Sequence, residues 1–156
     1  MPEKTAVLIS RCLLGEPCRY DGASRPCAAV TGLAERYRLI PVCPEQLGGL
    51  PTPREPSEIV GDRVLCRSGR DVTAQYRLGA EKTLEIALQF GCRAAVLKEK
   101  SPSCGKGLIH NGQFDGGLTP GVGIAAALLE QNGIRVIGEG DAEKLPQILE
   151  EMPCDC

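Results

Sequence analysis

Four short strand-like segments limit what this chain can fold into. Three are the apolar runs Ala6-Val7-Leu8-Ile9, Leu39-Ile40-Pro41-Val42 and Ala94-Ala95-Val96-Leu97, and the fourth is residues 134–137. The first is continuous rather than alternating, as expected of a strand buried on both faces. Stretches with helical signals separate the runs. Alternating strands and helices predict a parallel sheet with right-handed crossovers, an α/β domain of about four mostly parallel strands. Every loop that follows a strand then lies on one edge of the sheet, the edge where ligands bind.

The connecting segments can be read in turn. Pro26 suits the first position of a short helix to about residue 37. Residues 43–49 read as the loop after the second strand. Pro51, Pro53 and Pro56 exclude a helix, and residues 58–67 predict a small hairpin over Gly61-Asp62. Asp71 or Thr73 can cap a helix over about 73–90, with Ala80, Leu84, Ala87 and Leu88 on one face and Gly91 as its stop. Residues 99–119 read as a long loop. Thr119 reads as an N-cap and Pro120 as the first residue of a helix ending at Asn132-Gly133. Asp141 caps a last helix to about residue 151. No internal repeat or linker divides the chain, so residues 1–156 are expected to form a single domain with a short cysteine-containing tail at 152–156.

Composition excludes several classes of function. A net charge of −2, 3% aromatic residues and no Trp give neither the basic face nor the stacking rings of a nucleic-acid binder. No run approaches the roughly 20 apolar residues of a membrane span. The first residues lack the charged and apolar regions of a secretory signal, so a cytoplasmic protein is expected. Nine cysteines stand out in that setting. In a reducing compartment an excess of thiols points to metal or redox work, and an odd count fits poorly with a closed disulfide framework. With His110 the only histidine, a metal would be held mainly by sulfur.

Position singles out three of the thiols. Cys12, Cys43 and Cys104 each lie just past the end of a candidate strand, so the topology brings them to one edge. Cys27, Cys66 and Cys92 read as packing residues. Cys18 forms a C-x5-C pair with Cys12, and Cys154 and Cys156 form a terminal pair. Three thiolates without an evident fourth ligand leave a coordination position open. Both zinc and an iron–sulfur cubane remain candidates, since the spacing matches neither ferredoxin runs nor zinc knuckles. Glu45, two residues after Cys43, is placed for proton transfer. Ser101 and Ser103 flank Pro102 before Cys104 and can hydrogen-bond a ligand, or serve as turn residues. Lys98 and Lys100 are either solvated or orient an anion, and His110 reads as a loop hydrogen-bonder. The helix expected from Pro120 would aim its amides at the same edge. Gly121-Val122-Gly123 is only a fragment of a dinucleotide fingerprint. Besides an enzyme, the residues alone admit a non-catalytic zinc- or cluster-binding module, or a thiol-redox protein using Cys12/Cys18 or Cys154/Cys156.

Several motifs in order carry a more specific resemblance. Ser10-Arg11-Cys12-Leu13-Leu14-Gly15, Cys18-Arg19-Tyr20-Asp21-Gly22, Cys43-Pro44-Glu45-Gln46-Leu47-Gly48-Gly49-Leu50-Pro51-Thr52-Pro53-Arg54 and Lys100-Ser101-Pro102-Ser103-Cys104-Gly105 resemble the thiouracil desulfidase family over about residues 5–138. The resemblance implies a Rossmann-like three-layer fold and a [4Fe-4S] cluster on Cys12, Cys43 and Cys104. It implies Glu45 as general acid/base, with Ser101 and, less directly, Ser103 positioning the substrate. The implied reaction is the non-redox conversion of thiouracil and water to uracil and hydrogen sulfide. A small thiolated base or nucleoside and the cluster-assembly machinery would be the partners.

Overall fold

The structure is a computed structural model and describes residues 4–15, 21 and 26–151. Cys18, Cys154 and Cys156 fall outside the described residues. Strands β1 (Ala6–Ser10), β2 (Arg38–Val42), β5 (Ala94–Leu97) and β8 (Arg135–Gly138) form one sheet in the order β2-β1-β5-β8. Every pairing in it is parallel. The other strands form two antiparallel hairpins, β3 (Ser57–Val60) with β4 (Arg63–Cys66) and β6 (Lys106–His110) with β7 (Leu118–Val122). The helices are α1 (Ala28–Thr31), α2 (Pro44–Leu47), α3 (Thr73–Gln89), α4 (Ile124–Gln131) and α5 (Leu145–Glu151). Among the described residues no helix is long and apolar enough to cross a membrane.

The apolar runs are buried on both faces because helices cover both. Val7 and Ile9 of β1, with Ala94 and Val96 of β5, face a core that includes Val30, Leu145 and Ile148. Leu8, Ala95 and Leu97 face the opposite core with Ala87, Ala126 and Leu129 of α3 and α4. Successive residues point to opposite faces, so a continuous apolar run fills both cores at once and gives three layers. A third small cluster, with Val64, Val72 and Tyr76, lies beneath the β3–β4 hairpin.

Helix ends locate the strands. The Asp71 carboxylate accepts the Thr73 N–H at 2.8 Å and starts α3. Its other end closes through Gly91, at φ +67°, with Cys92 N–H donating to the Ala87 carbonyl at 2.8 Å. The same arrangement, through Gly133 and a bond from Ile134 N–H to the Leu129 carbonyl, ends α4 and leads into β8.

Local readings fail where tertiary packing outweighs them. The helix expected from Pro26 is only α1, followed by a 3-10 turn at Gly32–Glu35. Residues 43–49 contain α2, with Pro44 in its first turn. The stretch read as a loop over 99–119 holds β6, and Thr119 and Pro120 lie in β7, paired with Ile109 and Leu108. Helix α4 therefore begins four residues later than the Pro120 signal suggests, with Gly123 as its N-cap. Leu88 is 60% exposed, and the buried face of α3 instead carries Thr73, Tyr76, Ala80, Thr83 and Ala87. Asp141 caps no α-helix, because Glu139–Lys144 is a 3-10 segment leading into α5.

Candidate functional site

In the sheet order β2-β1-β5-β8 the chain leaves β1 toward β2 and leaves β5 toward β8, in opposite directions, so the switch point lies between β1 and β5. The crevice beside β1 at the carboxyl ends of the strands is the place where such sheets bind ligands. A cavity of about 570 Å³ opens there. Cys12, Cys43, Glu45, Ser101, Ser103 and Cys104, the six residues singled out from sequence, all line it.

Each thiol is set by a short turn. Cys12 lies in a 3-10 turn, Arg11–Leu14, directly after β1, and Gly15 at φ +95° closes that turn on the Cys12 carbonyl. Cys43 follows β2 and is the N-cap of α2. Cys104 is held by the Ser101 hydroxyl, which accepts N–H bonds from both Ser103 and Cys104 at 3.1 Å. This tight turn needs Gly105, where a Cβ would lie 2.6 Å from the Ser101 carbonyl oxygen. The first amides of α4 close the same turn: Ile124 N–H donates to the Pro102 carbonyl, and Ala125 and Ala126 N–H to that of Ser103. The α4 amides thus hold the cysteine turn and are not directed at a ligand, which corrects the expectation from Pro120. Gly121-Val122-Gly123 likewise forms no nucleotide loop. Gly123 packs on Ser103, where a Cβ would meet the carbonyl carbon at 2.5 Å.

Ser10, the last residue of β1, is 2% exposed and joins two strand ends. Its hydroxyl donates to the Cys104 Sγ at 3.3 Å and accepts the Lys98 N–H at 2.8 Å. Burial pushes the Cys104 thiol up to about 12, against the lowering effect of the Ser10 and Ser103 hydroxyls; neighbouring Cys43 and Glu45 raise it further. Cys12, Cys27, Cys43, Cys66, Cys92 and Cys104 are not disulfide-bonded. Cys66 and Cys92 are buried in apolar clusters and Cys27 packs against one; Cys12 and Cys104 belong to such clusters as well and Cys43 packs against one, and what separates the two sets is that only Cys12, Cys43 and Cys104 line the cavity.

Glu45 accepts three side-chain hydrogen bonds. Its Oε1 accepts from Arg54 Nε at 3.0 Å and from the Tyr76 hydroxyl at 2.9 Å, and its Oε2 accepts from the Ser103 hydroxyl at 3.1 Å. The Arg54 side chain is 6% exposed and that of Glu45 14%. Burial alone would lower the Arg54 pKa, but the charge and hydrogen bond of Glu45 outweigh it and raise it. Burial, then the Glu45 charge, pushes Tyr76 far above the ordinary phenol range, so it stays a neutral donor. The Ser103 oxygen also lies 2.9 Å from the Ser101 oxygen and 3.7 Å from the Cys104 Sγ. One hydroxyl proton can serve only one of these acceptors at a time.

Two glycines bring this carboxylate to the cavity. A Cβ on Gly79 of α3 would lie 1.9 Å from the Pro44 carbonyl oxygen, and one on Gly48 would lie 1.9 Å from that of Gln75. Helices α2 and α3 therefore touch backbone to backbone, which lets Tyr76 reach Glu45. The loop after α2 returns Arg54 to the same carboxylate, with Arg54 Nη1 donating to the Pro51 carbonyl and the Thr52 hydroxyl.

Arg54 and Tyr76 were not picked out as site residues from sequence. Arg54 lies among prolines, and Tyr76 has the spacing of a core residue. Lys98 is committed to Glu139 at 2.9 Å, and Lys100 is exposed. Among the described residues, no three His, Cys, Asp or Glu side chains are close enough to hold a single metal ion.

The three-layer parallel fold and the thiol-lined crevice define a Rossmann-like α/β protein with a sulfur-rich site at its switch point. Residues 7–141 match the 2-thiouracil desulfurase family, and the chain belongs to that family. It is 43% identical over 145 residues to Bacillus subtilis (strain 168) "uncharacterized protein YbbK", an alignment covering 86% of this chain and 96% of that protein. It is also similar to the solved structure of the [4Fe-4S]-dependent thiouracil desulfidase TudS. That match has a TM-score of 0.90 and 44% identity, and covers 96% of this chain and all of that one.

Proposed function

We propose that this protein is a [4Fe-4S]-dependent desulfidase that converts thiouracil and water to uracil and hydrogen sulfide. The observation that carries this reading is the meeting of Cys12, Cys43, Cys104 and a hydrogen-bonded Glu45 around one cavity, in a member of this family. The donor set fits the cluster. Three thiols from three separate strand ends line one cavity of about 570 Å³, and no three donors among the described residues are placed to hold one metal ion, which fits a multi-iron centre better than a single zinc. Cys12, Cys43 and Cys104 would hold it as thiolates. When bound, a cluster on three thiolates supplies an open iron, a soft Lewis acid for the exocyclic sulfur.

The remaining work falls to the chain. Glu45 takes a proton from the water that attacks the ring carbon. Its Oε2 is the oxygen for this step, since it accepts one hydrogen bond where Oε1 accepts two. Arg54 and Tyr76 hold Oε1, fixing the carboxylate and keeping its charge compensated. Protonated Glu45 then returns the proton as the carbon–sulfur bond breaks, so the reaction needs no electron carrier. Ser101 shapes the Cys104 turn, and the Ser103 hydroxyl lies between Glu45 and the Cys104 sulfur on the substrate side. The protein would act in the cytoplasm on small thiolated bases or nucleosides and would depend on the cell's cluster-assembly machinery. Residues 1–156 would act as a single desulfidase domain.

Anaerobic purification tests the proposal. The expected result is a brown protein with broad absorbance near roughly 400 nm that releases sulfide and uracil from thiouracil in equal amounts. A colourless protein after anaerobic cluster reconstitution, or a brown one that releases no sulfide, would contradict it.

A further inference from the structure

The wall of the cavity contributed by the β3–β4 and β6–β7 hairpins plays no part in the mechanism above, yet it carries two unusual groups. Phe114, in the turn joining β6 to β7, lines the cavity at φ +56°. An aromatic residue in the left-handed region is uncommon, and such conformations persist where the surroundings impose them, often at ligand clamps. What imposes it here is Glu58 of β3, a carboxylate only 7% exposed. It accepts the N–H groups of Gly112 at 2.8 Å and Phe114 at 3.2 Å. Gly112 fits closely as well, since a Cβ there would lie 2.7 Å from the Ile59 carbonyl oxygen. Arg67, which also lines the cavity, places its guanidinium 5.8 Å from the centre of the Phe114 ring. His110, at the end of β6, lines the same cavity, and its Nδ1 is buried with no hydrogen-bond partner among the described residues.

A buried polar atom without a partner is costly unless a ligand supplies one. A ring held in a strained turn by a buried carboxylate offers a rigid flat surface. We infer that this wall recognises the substrate's planar base: Phe114 is the surface on which the ring stacks, and His110 Nδ1 bonds a polar atom on its edge. Aromatic faces suit heterocyclic bases of any substitution, while a single hydrogen bond sets their orientation. Glu58 acts only as a positioning residue for the Phe114 turn. Phe114 and His110 would thus determine specificity for a planar, polar-edged ring.

The inference rests on the desulfidase reading but is tested separately from it, by equilibrium binding of uracil to the anaerobically reconstituted full chain. Phe114→Ala and Phe114→Leu should each weaken binding roughly 5- to 150-fold, and Phe114→Trp should stay within about twofold of wild type. Alanine and leucine keep the strained backbone, so the loss reports the aromatic face. His110→Ala should weaken binding roughly 5-fold or more. With thiouracil the Phe114 variants should raise KM with little change in kcat. Wild-type binding of uracil by Phe114→Leu or His110→Ala would overturn the inference, as would a wild-type protein that binds no uracil. A protein that binds uracil with this variant pattern and releases no sulfide would leave the recognition wall standing and remove the desulfidase activity.

Discussion

Gly79→Ala tests whether the α2–α3 contact sets the position of the Glu45 carboxylate. In a helix interior this change ordinarily stabilises by about 1 kcal/mol, since glycine is the poorer helix former. Here the new methyl would meet the Pro44 carbonyl oxygen at 1.9 Å and the Gly48 nitrogen at 3.1 Å. Both are backbone atoms that cannot rotate aside. To restore contact at 3.4 Å, α2 must retreat by about 1.5 Å, the difference from the 1.9 Å approach. Such overpacking typically costs about 1–3 kcal/mol, which exceeds the gain in helix propensity. The displacement matters more for function. Glu45 directly follows Pro44, and its bonds to Tyr76, Arg54 and Ser103 span only 2.9–3.1 Å. A misplacement of about 1 Å in catalytic groups can lower rates by about 10²-fold. Thermal unfolding and anaerobic sulfide release should therefore both fall in Gly79→Ala, and because Cys43 directly precedes Pro44 as the N-cap of α2, cluster absorbance should fall with them. A variant that is more stable than wild type and fully active would refute the reasoning.

The remaining predictions concern chemistry and the scaffold. Glu45→Gln keeps the size and, with its amide oxygen toward Arg54 and Tyr76, two of the three accepted bonds, but its amide nitrogen can neither accept from Ser103 nor take a proton, so turnover should fall by roughly 10²-fold or more with the cluster spectrum unchanged; normal turnover would exclude Glu45 as the base. Asp71 is held below the usual carboxylate range by its hydrogen bonds with Thr73. A depressed pKa contributes stability above the unfolded value, and that contribution is lost as pH falls through the folded value. Asp71→Ala should therefore melt below wild type at neutral pH, with the gap closing once the carboxylate protonates, which a series of melting curves from pH 7 to pH 3 would measure. Burial raises the Cys92 thiol from an ordinary 9.0 to about 11, so at pH 8 its alkylation by iodoacetamide should be roughly 100-fold slower than that of an ordinary thiol and become rapid only on unfolding, as peptide mapping would show.

The sheet was legible in the sequence because its strands carry their own signal. The runs 6–9 and 94–97, which fill two cores, are apolar throughout, and the glycines at 91 and 133 end the helices that lead into β5 and β8. The placement of Cys12, Cys43 and Cys104 followed from topology alone, since parallel strands put their following loops on one edge. What escaped local reading was set by distant partners. Thr119-Pro120 has the chemistry of a helix start, yet strand pairing with β6 and the fit of Gly123 against Ser103 delay α4. The long loop conceals β6 because Gly107 and exposed Leu108 break the expected alternation. Arg54 and Tyr76 come from segments whose local patterns read as irregular chain and core helix. Only the folded structure shows both ending on one carboxylate.

The most direct test measures iron and acid-labile sulfide per chain in anaerobically reconstituted wild type, in single serine variants of Cys12, Cys43 and Cys104, and in Cys92→Ser as a buried-thiol control. About four iron and four sulfide should be found in wild type and in the Cys92 variant. Each of the other three variants should lose most of both while remaining folded by circular dichroism. A full complement of iron and sulfide in any one of those three would contradict the account.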